Sequence, residues 1–567
     1  MRRGSTSAAG SNRLGQAAAA FTSNWRNPNL RRAQLSFLGA WTAEWAFTVA
    51  LGIVAYRDGG AVALGLVGLL RMVPSAILAP LLSPIADRGR RERVLILVST
   101  VRGLATAAAA VVALLAGPAM VIYVLAVLST IAATLYRPAH SALLPSLCRT
   151  GYELASANVV RGLLDSTATL VGPLLAAVLL QFTGVGVVFA VAAAASFWSA
   201  ALLVRLRYEA PPRPPAPRRP NLVREAADGV RAVTQNRGLA LILGLAGVQA
   251  LTRGALTVLS VVVAIELLDT GEPGAGALMA AVGVGAVLGS LAASLLVGTG
   301  RLGAWFAVGV ALWGLPLTLV GIVPQESAAL GFLAFIGVGN ALIDVAGFTL
   351  VARMAPDAVL ARVFGVLESL VTVSIGLGAV LASSIVEWFG VQTALVVIGL
   401  VCPVAAVVSW RRLRSLDRSV GDLDVDAGML QAVPMFSTLP LPAVEQLARG
   451  LIPVTVPRGH VLFKQGDIGD RYYLIESGEA DVVGDGRVVA TLGRGEGFGE
   501  IALLRSTRRT ASVVAKSELR LQALDSDRFL PVVLGYTPSA QRAAADVDDM
   551  LDHFKPKDPF GEPSAST

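Results

Sequence analysis

The chain has two regions with different patterns of apolar and polar positions. From about residue 33 to 412, apolar runs of roughly 20 residues recur, as in VLILVSTVRGLATAAAAVVALLA at 94–116 and ALVVIGLVCPVAAVVSW at 394–410. An α-helix rises ~1.5 Å per residue, so each run can cross a hydrocarbon layer ~30 Å thick. The pattern predicts about twelve membrane-spanning helices.

The pattern changes after residue 414. Residues 415–560 contain no run long enough to span a membrane. Short segments alternate apolar and polar residues instead, and Gly-Asp and Asp-Gly turn signals separate them. These segments are VLFKQ, RYYLIES, EADVVGD, RVVATLG, ASVVAKS and LRLQALD. We expect a small β-roll or jelly-roll domain with flanking helices at 442–451 and 539–554.

The composition is that of a membrane protein. Hydrophobic residues make up 54% of the chain and charged residues only 15%, whereas a soluble chain carries roughly a quarter charged residues. The net charge of +8 would suggest nucleic acid as the partner of a soluble protein. In a membrane protein the placement of charge matters more than its sum, so we expect a lipid bilayer and no nucleic acid among the partners.

Arginines cluster at every second connection between the predicted spans. They are Arg26, Arg31, Arg32, Arg88, Arg90, Arg91, Arg93, Arg137, Arg149, those of the segment 205–231, Arg301, Arg353, Arg362, Arg411, Arg412 and Arg414. The opposite connections are nearly free of arginine, with Arg57 the exception. The positive-inside rule therefore predicts a multi-pass protein of the inner or plasma membrane with both termini cytoplasmic.

A Pro- and Arg-rich segment divides the spans into six and six. On either side of it, 154–184 and 360–390 have equal length, and Gly172 aligns with Gly378. Such a repeat indicates two halves related by duplication. We expect an all-α membrane domain of about 12 transmembrane helices in a 6+6 pseudo-repeat, followed by the cytoplasmic β-roll.

These patterns also predict the domain boundaries. We expect a flexible cytoplasmic tail at 1–30, a membrane domain at 31–412 with halves 31–207 and 237–412 joined by the cytoplasmic loop 208–236, a linker at 413–428, the β-roll domain at 429–556 and a disordered tail at 557–567.

Several charged residues lie inside the predicted spans, where charge is costly and usually functional. They are Glu44, Arg71, Arg102, Arg161, Asp165, Arg253, Asp344 and Glu368. Glu44, mid-span between Trp41 and Trp45, is the first candidate for proton coupling; a salt bridge to an arginine of another span is the alternative. Arg161 and Asp165 are four residues apart on one helix face, and we expect them to pair.

The sequence gives no indication of catalysis or metal binding. It has no nucleophile–base constellation and no Walker-type loop. Its histidines, His140, His460 and His553, are scattered, and Cys148 and Cys402 lie about 250 residues apart without a metal-type spacing. We expect no enzyme activity, no metal and no cofactor.

The loop after the second span reads SPIADRGRRERVL at 83–95. It resembles the loop motif of the major facilitator superfamily, and Asp87, Arg88 and Arg91 match that motif best. Ser83 stands where the family usually has glycine. The resemblance implies a charged latch that links the two halves on the cytoplasmic side.

Two further stretches resemble the exporter branch of that superfamily, the enterobactin-exporter and transmembrane-secretion-effector type. They are YRPAHSALLPSL at 136–147 and LVGPLLAA at 170–177. Gly172 and Pro173 stand where antiporters carry a glycine-proline motif, although plain helix packing also uses small residues. The resemblance implies a secondary active transporter that exports a small molecule by proton-coupled antiport.

The stretch GEGFGEIALLRSTRRTAS at 495–512 resembles the phosphate-binding cassette of the cyclic-nucleotide-binding domains of kinases, gated channels and bacterial catabolite regulators. The matching residues are Phe498, Gly499, Glu500, Ile501, Ala502, Arg509, Thr510, Ala511 and Ser512. Arg509 offers a planar fork of donors to a cyclic phosphate, and Glu500 can accept from the ribose 2′-hydroxyl. The resemblance favours cAMP as the ligand. A threonine at the position of Thr510 also occurs in cGMP-dependent kinases, so cGMP remains open.

We therefore expect a transporter whose activity a cytoplasmic cyclic nucleotide regulates. Two alternatives remain: a membrane sensor that does not transport, and a transporter whose C-terminal domain has lost its ligand and is structural. A cyclic-nucleotide-gated channel would need about six spans and a filter sequence, and the chain has neither.

Overall fold

The chain divides into two compact units, Met1–Leu416 and Asp417–Thr567. Each unit has hydrophobic clusters of its own, so each is described by itself. The computed structural model describes residues 25–88, 90–148, 151–206, 222–296, 301–355, 359–437, 439, 441–535, 539 and 541–547.

The first unit is built from α-helices. They are α1 (Pro28–Arg88), α2 (Arg91–Leu114), α3 (Ala119–Ala133), α4 (Tyr136–Leu147), α5 (Gly151–Phe182), α6 (Val185–Val204), α7 (Leu222–Gln235), α8 (Arg237–Val262), α9 (Gly271–Leu296), α10 (Leu302–Ile322), α11 (Glu326–Met354), α12 (Leu360–Phe389) and α13 (Val391–Ala432). Among the described residues, eleven helical segments are long and apolar enough to cross a membrane. One of them, Ala119–Leu147, combines α3 and α4.

Helix α1 consists of two arms. The helical geometry breaks at Gly59 (φ −163°, ψ 34°) and Gly60 (φ 59°, ψ −150°), and a backbone like that of Gly60 is open mainly to glycine. With α1 counted as two arms, the eleven segments give the twelve crossings that the apolar runs predict.

The repeat is visible in the packing of α5 and α12. A Cβ atom built on Gly172 of α5 would lie 2.5 Å from Cβ of Trp45 on α1. A Cβ atom built on Gly378 of α12 would overlap the carbonyl oxygen of Leu251 on α8. Each glycine brings its helix against the first helix of its own half. The halves meet through α5 against α9 and α12 against α1, which confirms the 6+6 pseudo-repeat.

The second unit is a β-roll of two antiparallel four-stranded sheets, with strand orders β1-β8-β3-β6 and β2-β7-β4-β5. The strands are β1 (Ile452–Val456), β2 (Val461–Phe463), β3 (Arg471–Ser477), β4 (Ala480–Gly484), β5 (Arg487–Leu492), β6 (Gly497–Phe498), β7 (Ser512–Ala515) and β8 (Leu519–Asp525). The helices of this unit include α14 (Leu441–Ala448), α15 (Glu500–Leu504) and α16 (Ser526–Gly535), preceded by a 3₁₀ turn at Pro434–Phe436.

The two faces of strand β3 fill two separate cores. Tyr472 lies in the cluster beneath the helices, 5.2 Å from Phe529 and 5.5 Å from Phe436 between ring centroids. Its neighbour Tyr473 lies in the cluster between the sheets and stacks on Phe498. Successive strand residues point to opposite faces, so this one strand connects both cores to the turn after β6.

Most of the strand predictions agree with the structure. Strands β3 and β8 coincide with RYYLIES and LRLQALD. Strand β1 was missed because Pro453 obscures its alternation, and β6 because it has only two residues. The helix predicted at 442–451 is α14, and α13 runs through the segment 413–428 that the sequence assigns to a linker.

Several predicted segments fall partly or wholly outside the described residues. Residues 541–547 of the predicted helix 539–554 are helical, and 548–554 lie outside. The tail 557–567 also lies outside, as do residues 1–24 and 208–221 of the predicted tail and loop.

Replacing Gly378 by alanine should destabilise the first unit. The new methyl group would overlap the carbonyl oxygen of Leu251, and a backbone atom has no free rotamer to move away. Overpacking of this kind costs about 1–3 kcal/mol. Thermal unfolding of the detergent-solubilised protein should show a lower Tm for Gly378→Ala. Gly331→Ala on α11 is the matched control, since a Cβ atom added there would meet no neighbouring atom within 4 Å. Equal Tm values for both variants would contradict the predicted contact.

Candidate functional site

The turn between β6 and α15 depends on Gly499. Its φ of 97° lies in the left-handed region that favours glycine. A Cβ atom at this position would also lie 2.6 Å from Nη1 of Arg509 and 3.0 Å from the carbonyl oxygen of Arg471. The turn directs the next residue, Glu500, into the interior, where it is only 3% exposed.

Arg509 lies opposite this turn and is 3% exposed. Its guanidinium donates to two backbone carbonyl oxygens, those of Gly499 at 3.0 Å and Arg471 at 2.8 Å. Cζ lies 4.1 Å from the centroid of the Phe463 ring, which holds the guanidinium by a cation–π contact. Asp470 lies 3.6 Å from Nη2. The planar group is thus held in place by neutral carbonyls, a ring and one exposed carboxylate.

Glu500 interacts electrostatically with Arg509, and its carboxyl also accepts a hydrogen bond from its own backbone N–H. Burial raises the pKa of the Glu500 carboxyl from its ordinary 4.5 to about 7. Among the described residues, Oε2 of Glu500, Nε of Arg509 and the hydroxyl of Tyr472 are buried without a hydrogen-bond partner, and Tyr472 interacts electrostatically with Glu500. Buried polar groups normally find partners, so the free Oε2 of Glu500 and Nε of Arg509 are suited to a small polar ligand, whereas the Tyr472 hydroxyl lies with the cluster beneath the helices.

The remaining cassette residues have different roles. Phe498, Ile501, Ala502 and Ala511 are buried and pack in the cores around the turn. The Ser512 hydroxyl accepts a hydrogen bond from the backbone N–H of Gln465 at 2.9 Å, which fixes the loop before β3. Thr510 is exposed and, among the described residues, makes no hydrogen bond.

Three residues at this site were not singled out from the sequence. Asp470 follows a Gly-Asp turn, which is a weak signal for its contact with Arg509. Phe463 and Tyr472 lie in strands whose pattern predicts core residues, and nothing in that pattern distinguishes a ring beneath a guanidinium or a hydroxyl beside a carboxylate. These contacts join residues far apart in the sequence, so only the fold reveals them.

In the first unit, Glu44 lies between two arginines. Its Oε1 is 2.9 Å from Arg71 on the second arm of α1, and its Oε2 is 2.5 Å from Arg102 on α2. Arg71 also donates to Oγ1 of Thr130 at 2.9 Å, and the side chains of Arg71 and Arg102 are only 7% and 4% exposed. The sequence left two roles open for Glu44, proton coupling and a salt bridge to an arginine of another span. The structure contains the salt bridge.

Five charged side chains from both halves of the first unit interact electrostatically with one another. They are Arg137 on α4, Asp165 on α5, Arg253 on α8, Asp344 on α11 and Glu368 on α12. We call this group the chamber. Arg137 donates to both carboxylate oxygens of Asp165 at 3.2 Å, yet these side chains are 48% and 34% exposed. Arg137 and Asp165 are therefore not enclosed by other side chains.

The pair expected between Arg161 and Asp165 does not form. Arg161 donates to the hydroxyl of Ser141 at 2.8 Å, because Arg137 reaches both carboxylate oxygens of Asp165 from the neighbouring helix. Asp344 accepts a hydrogen bond from the Asn340 amide at 2.9 Å on the same helix.

At another point the two halves are joined by ionic contacts. Arg57, the exception to the arginine pattern, donates through Nε and Nη2 to both carboxylate oxygens of Glu272 at 2.5 and 2.7 Å. The hydroxyl of Tyr56 donates to Glu266 at 2.7 Å. Both contacts connect α1 of the first half to the second half, at Glu266 in the turn after α8 and at Glu272 in the first turn of α9.

The side chains of Asp87 and Arg88 in the loop motif lie outside the described residues. Arg91 is described, and its guanidinium donates to the carbonyl oxygen of Ala142 and, at 3.2 Å, to the hydroxyl of Ser146, both on α4.

The helical architecture matches a known family. Residues 35–262 and 242–443 match the sequence model of the Major Facilitator Superfamily, most of the chain. The chain belongs to the Major Facilitator Superfamily. Residues 453–536 match the cyclic nucleotide-binding domain. This facilitator is thus a multi-pass membrane protein with a cyclic-nucleotide-binding domain after its helices, as the two resemblances predict, and both matched families are non-enzymatic kinds.

The curated relatives are similar to the C-terminal domain of this facilitator. The cAMP-dependent protein kinase regulatory subunit of Schizosaccharomyces pombe is 43% identical over 102 residues, and that of Yarrowia lipolytica is 40% identical over 134 residues. The matches cover 18% and 23% of this chain and only 25% and 32% of the relatives. Among solved structures, a cAMP-bound PfPKA-R is 22% identical with a TM-score of 0.22, covering 24% of this chain and 49% of that one.

The buried carboxyl of Glu500 makes the stability of the second unit depend on pH. Its folded pKa of about 7 lies above the ordinary 4.5, so its contribution is fully present below pH 4.5 and is lost as pH rises through 7. Without ligand, the Tm of the fragment Asp417–Thr567 relative to its Glu500→Gln variant should therefore fall across this window. Thermal unfolding at several pH values measures the difference in Tm between the two proteins. Titration of the histidines affects both proteins equally and cancels in this difference. A rise in the difference would contradict the burial of Glu500.

Proposed function

We propose that this facilitator is a proton-coupled exporter of a small molecule and that cytoplasmic cAMP bound between Glu500 and Arg509 regulates it. The observation that carries the regulatory part is that Glu500 and Arg509 are buried and that each keeps one polar atom without a hydrogen-bond partner. The arginine pattern supports a plasma or inner membrane location with both termini in the cytoplasm, where a cyclic nucleotide is available.

Each group of the site has a counterpart on a cyclic nucleotide. The guanidinium of Arg509 exchanges its contacts with the carbonyl oxygens of Gly499 and Arg471 for bonds to the phosphate oxygens, because a charge-assisted bond is stronger than one to a neutral acceptor. Glu500 accepts from the ribose 2′-hydroxyl. The curated relatives are named for cAMP-dependent kinases, which favours cAMP over cGMP. Thr510 is exposed and does not pack in the core.

The transport part is supported by contacts within the first unit. The halves are joined through Arg57 and Glu272, while Arg137 and Asp165 of the chamber are 48% and 34% exposed. Such a pair of halves with a polar interior fits alternating access around a central site. The cargo is a small molecule that enters this chamber.

Among the candidate carboxylates, Asp344 is the proposed carrier of the coupling proton. Protonation of Glu44 would leave Arg71 and Arg102 buried without a counter-charge, which is strongly unfavourable. Asp344 is accessible, accepts one hydrogen bond from Asn340, and among the described residues has no basic nitrogen within 4 Å. It therefore gains or loses a proton without breaking an ion pair.

Removing the guanidinium should weaken nucleotide binding. Calorimetry on the full-length protein should show that Arg509→Ala lowers the affinity for cAMP by roughly 10- to 150-fold, the effect of losing one charge-assisted bond of about 1.5–3 kcal/mol. Arg508→Ala is the control, since that guanidinium is exposed and donates to the carbonyl of Gly466. We also expect the 2′-deoxy analogue to bind more weakly than cAMP to the wild type and equally to Glu500→Ala. Failure of the wild type to bind cAMP or cGMP would leave the second unit a structural domain.

Proton coupling should depend on Asp344 and cyclic nucleotide should change the rate. In inverted membrane vesicles, a compound library is screened for members that dissipate a proton gradient only when the protein is present. Asp344→Asn should abolish this flux in correctly folded protein, whereas Glu44→Gln should chiefly lower Tm. Addition of cAMP should change the flux by about 5- to 150-fold, the usual range of allosteric coupling. Nucleotide binding without any compound-dependent flux would favour a sensor that does not transport.

A further inference from the structure

A loop of the second unit pairs with the backbone of Arg509. Residues 464–470 connect β2 to β3, and we call them the arginine loop. The backbone N–H of Arg509 donates to the carbonyl oxygen of Asp467 at 2.8 Å, and the carbonyl oxygen of Arg509 accepts from the N–H of Gly466 at 2.9 Å. The loop therefore holds both backbone polar groups of the residue that the proposed function assigns to the phosphate.

The arginine loop also contacts the guanidinium itself. Asp470 lies 3.6 Å from Nη2 of Arg509. A Cβ atom built on Gly469 would lie 3.4 Å from Cζ of Arg509 and 2.6 Å from Cβ of Ala502 on α15. The backbone of the loop thus packs directly against the guanidinium, so the position of the loop sets the position of Arg509.

The arginine loop has no anchor in either hydrophobic core. Each of its residues is exposed except Gly469, which is half-buried, and none belongs to the two clusters of this unit. Segments with few buried contacts open locally at a low cost in free energy. The position of the loop therefore depends on its hydrogen bonds.

Two of these bonds join Gln465 to the turn of another hairpin. Its Nε2 donates to Oδ1 of Asp485 at 3.0 Å, and its Oε1 accepts from the backbone N–H of Asp485 at 3.1 Å. Asp485 and Gly486 have φ of 48° and 78° and form the two-residue turn between β4 and β5, a tight and well-defined geometry. A side-chain amide supplies the donor and the acceptor together, which neither a carboxylate nor an ammonium group does.

We propose that Gln465 and Asp485 form a positioning pair for the nucleotide site. The pair fixes the arginine loop on the rigid β4–β5 turn, and the loop fixes Arg509 before the ligand arrives. Such pre-organisation raises affinity, because binding then does not have to order the loop. This inference rests on the proposed binding of a cyclic nucleotide, since it concerns the same site.

The test exchanges the donor and acceptor of the pair in the full-length protein. Gln465→Glu removes the donor and sets two carboxylates against each other, so calorimetry should show cAMP affinity lowered by about 2- to 12-fold, the value of one hydrogen bond. Asp485→Asn keeps the acceptor and the backbone N–H and should bind like the wild type. The double variant has its donor on residue 485 and the wild-type net charge, and it should regain the wild-type affinity.

Hydrogen exchange measures the same pair in the protein before nucleotide is added. Segments containing the amides of Gly466 and Arg509 should exchange faster in Gln465→Glu and return to the wild-type rate in the double variant, while β8 stays unchanged. Thr491→Val is the control, because it removes an exposed bond of 2.6 Å to Asp481 within the same hairpin. It should leave both affinity and exchange at their wild-type values.

Three results would overturn the positioning role. They are wild-type affinity and exchange in Gln465→Glu, an equal loss in the Thr491→Val control, and a double variant that stays weak, which would indicate that residue 465 contacts the ligand itself. Failure of the proposed function looks different, because the wild type then binds neither cAMP nor cGMP. The exchange rates alone then decide whether the pair holds Arg509.

Discussion

The ion pairs of Glu44 with Arg71 and Arg102 connect the two arms of α1 to α2 inside the first half. Three charges removed from water carry a large desolvation penalty, which close and well-oriented pairing offsets only in part. This arrangement therefore restricts how the three helical segments can be placed. Trp41 and Trp45 lie on the same arm as Glu44 and contact Arg137 and Arg253 of the chamber, so the ion pairs also fix this side of the chamber.

The second unit also buries charged side chains, but there they are not fully paired. Glu500 and Arg509 are buried as deeply as the arginines of the first unit, but their pairing is incomplete. Neutral carbonyls and the Phe463 ring hold the guanidinium in position, while the carboxyl of Glu500 keeps one oxygen without a partner. The cost of this arrangement appears in the raised pKa of Glu500. A site held open in this way is prepared for a polar ligand before the ligand arrives.

Short-range patterns made much of the architecture predictable. Apolar runs located the spans, alternation located β3 and β8, and the resemblance of 495–512 to a family cassette pointed to Glu500 and Arg509. Long-range pairing was not predictable in the same way. The partners of Glu44 lie 27 and 58 residues away, and Asp165 pairs with Arg137 across two helices rather than with Arg161 one turn away. Helical spacing tells which residues share a face but not what that face meets.

The contact between Arg57 and Glu272 has a consequence for biogenesis. The two residues are 215 positions apart, and a ribosome adds about 5–20 residues per second. Arg57 is therefore made roughly 10–40 s before its partner exists. During that interval the nascent first half carries an uncompensated guanidinium that water or lipid headgroups must solvate. Arrival of Glu272 in the first turn of α9 neutralises it, so docking of the late half completes the electrostatics of the early one.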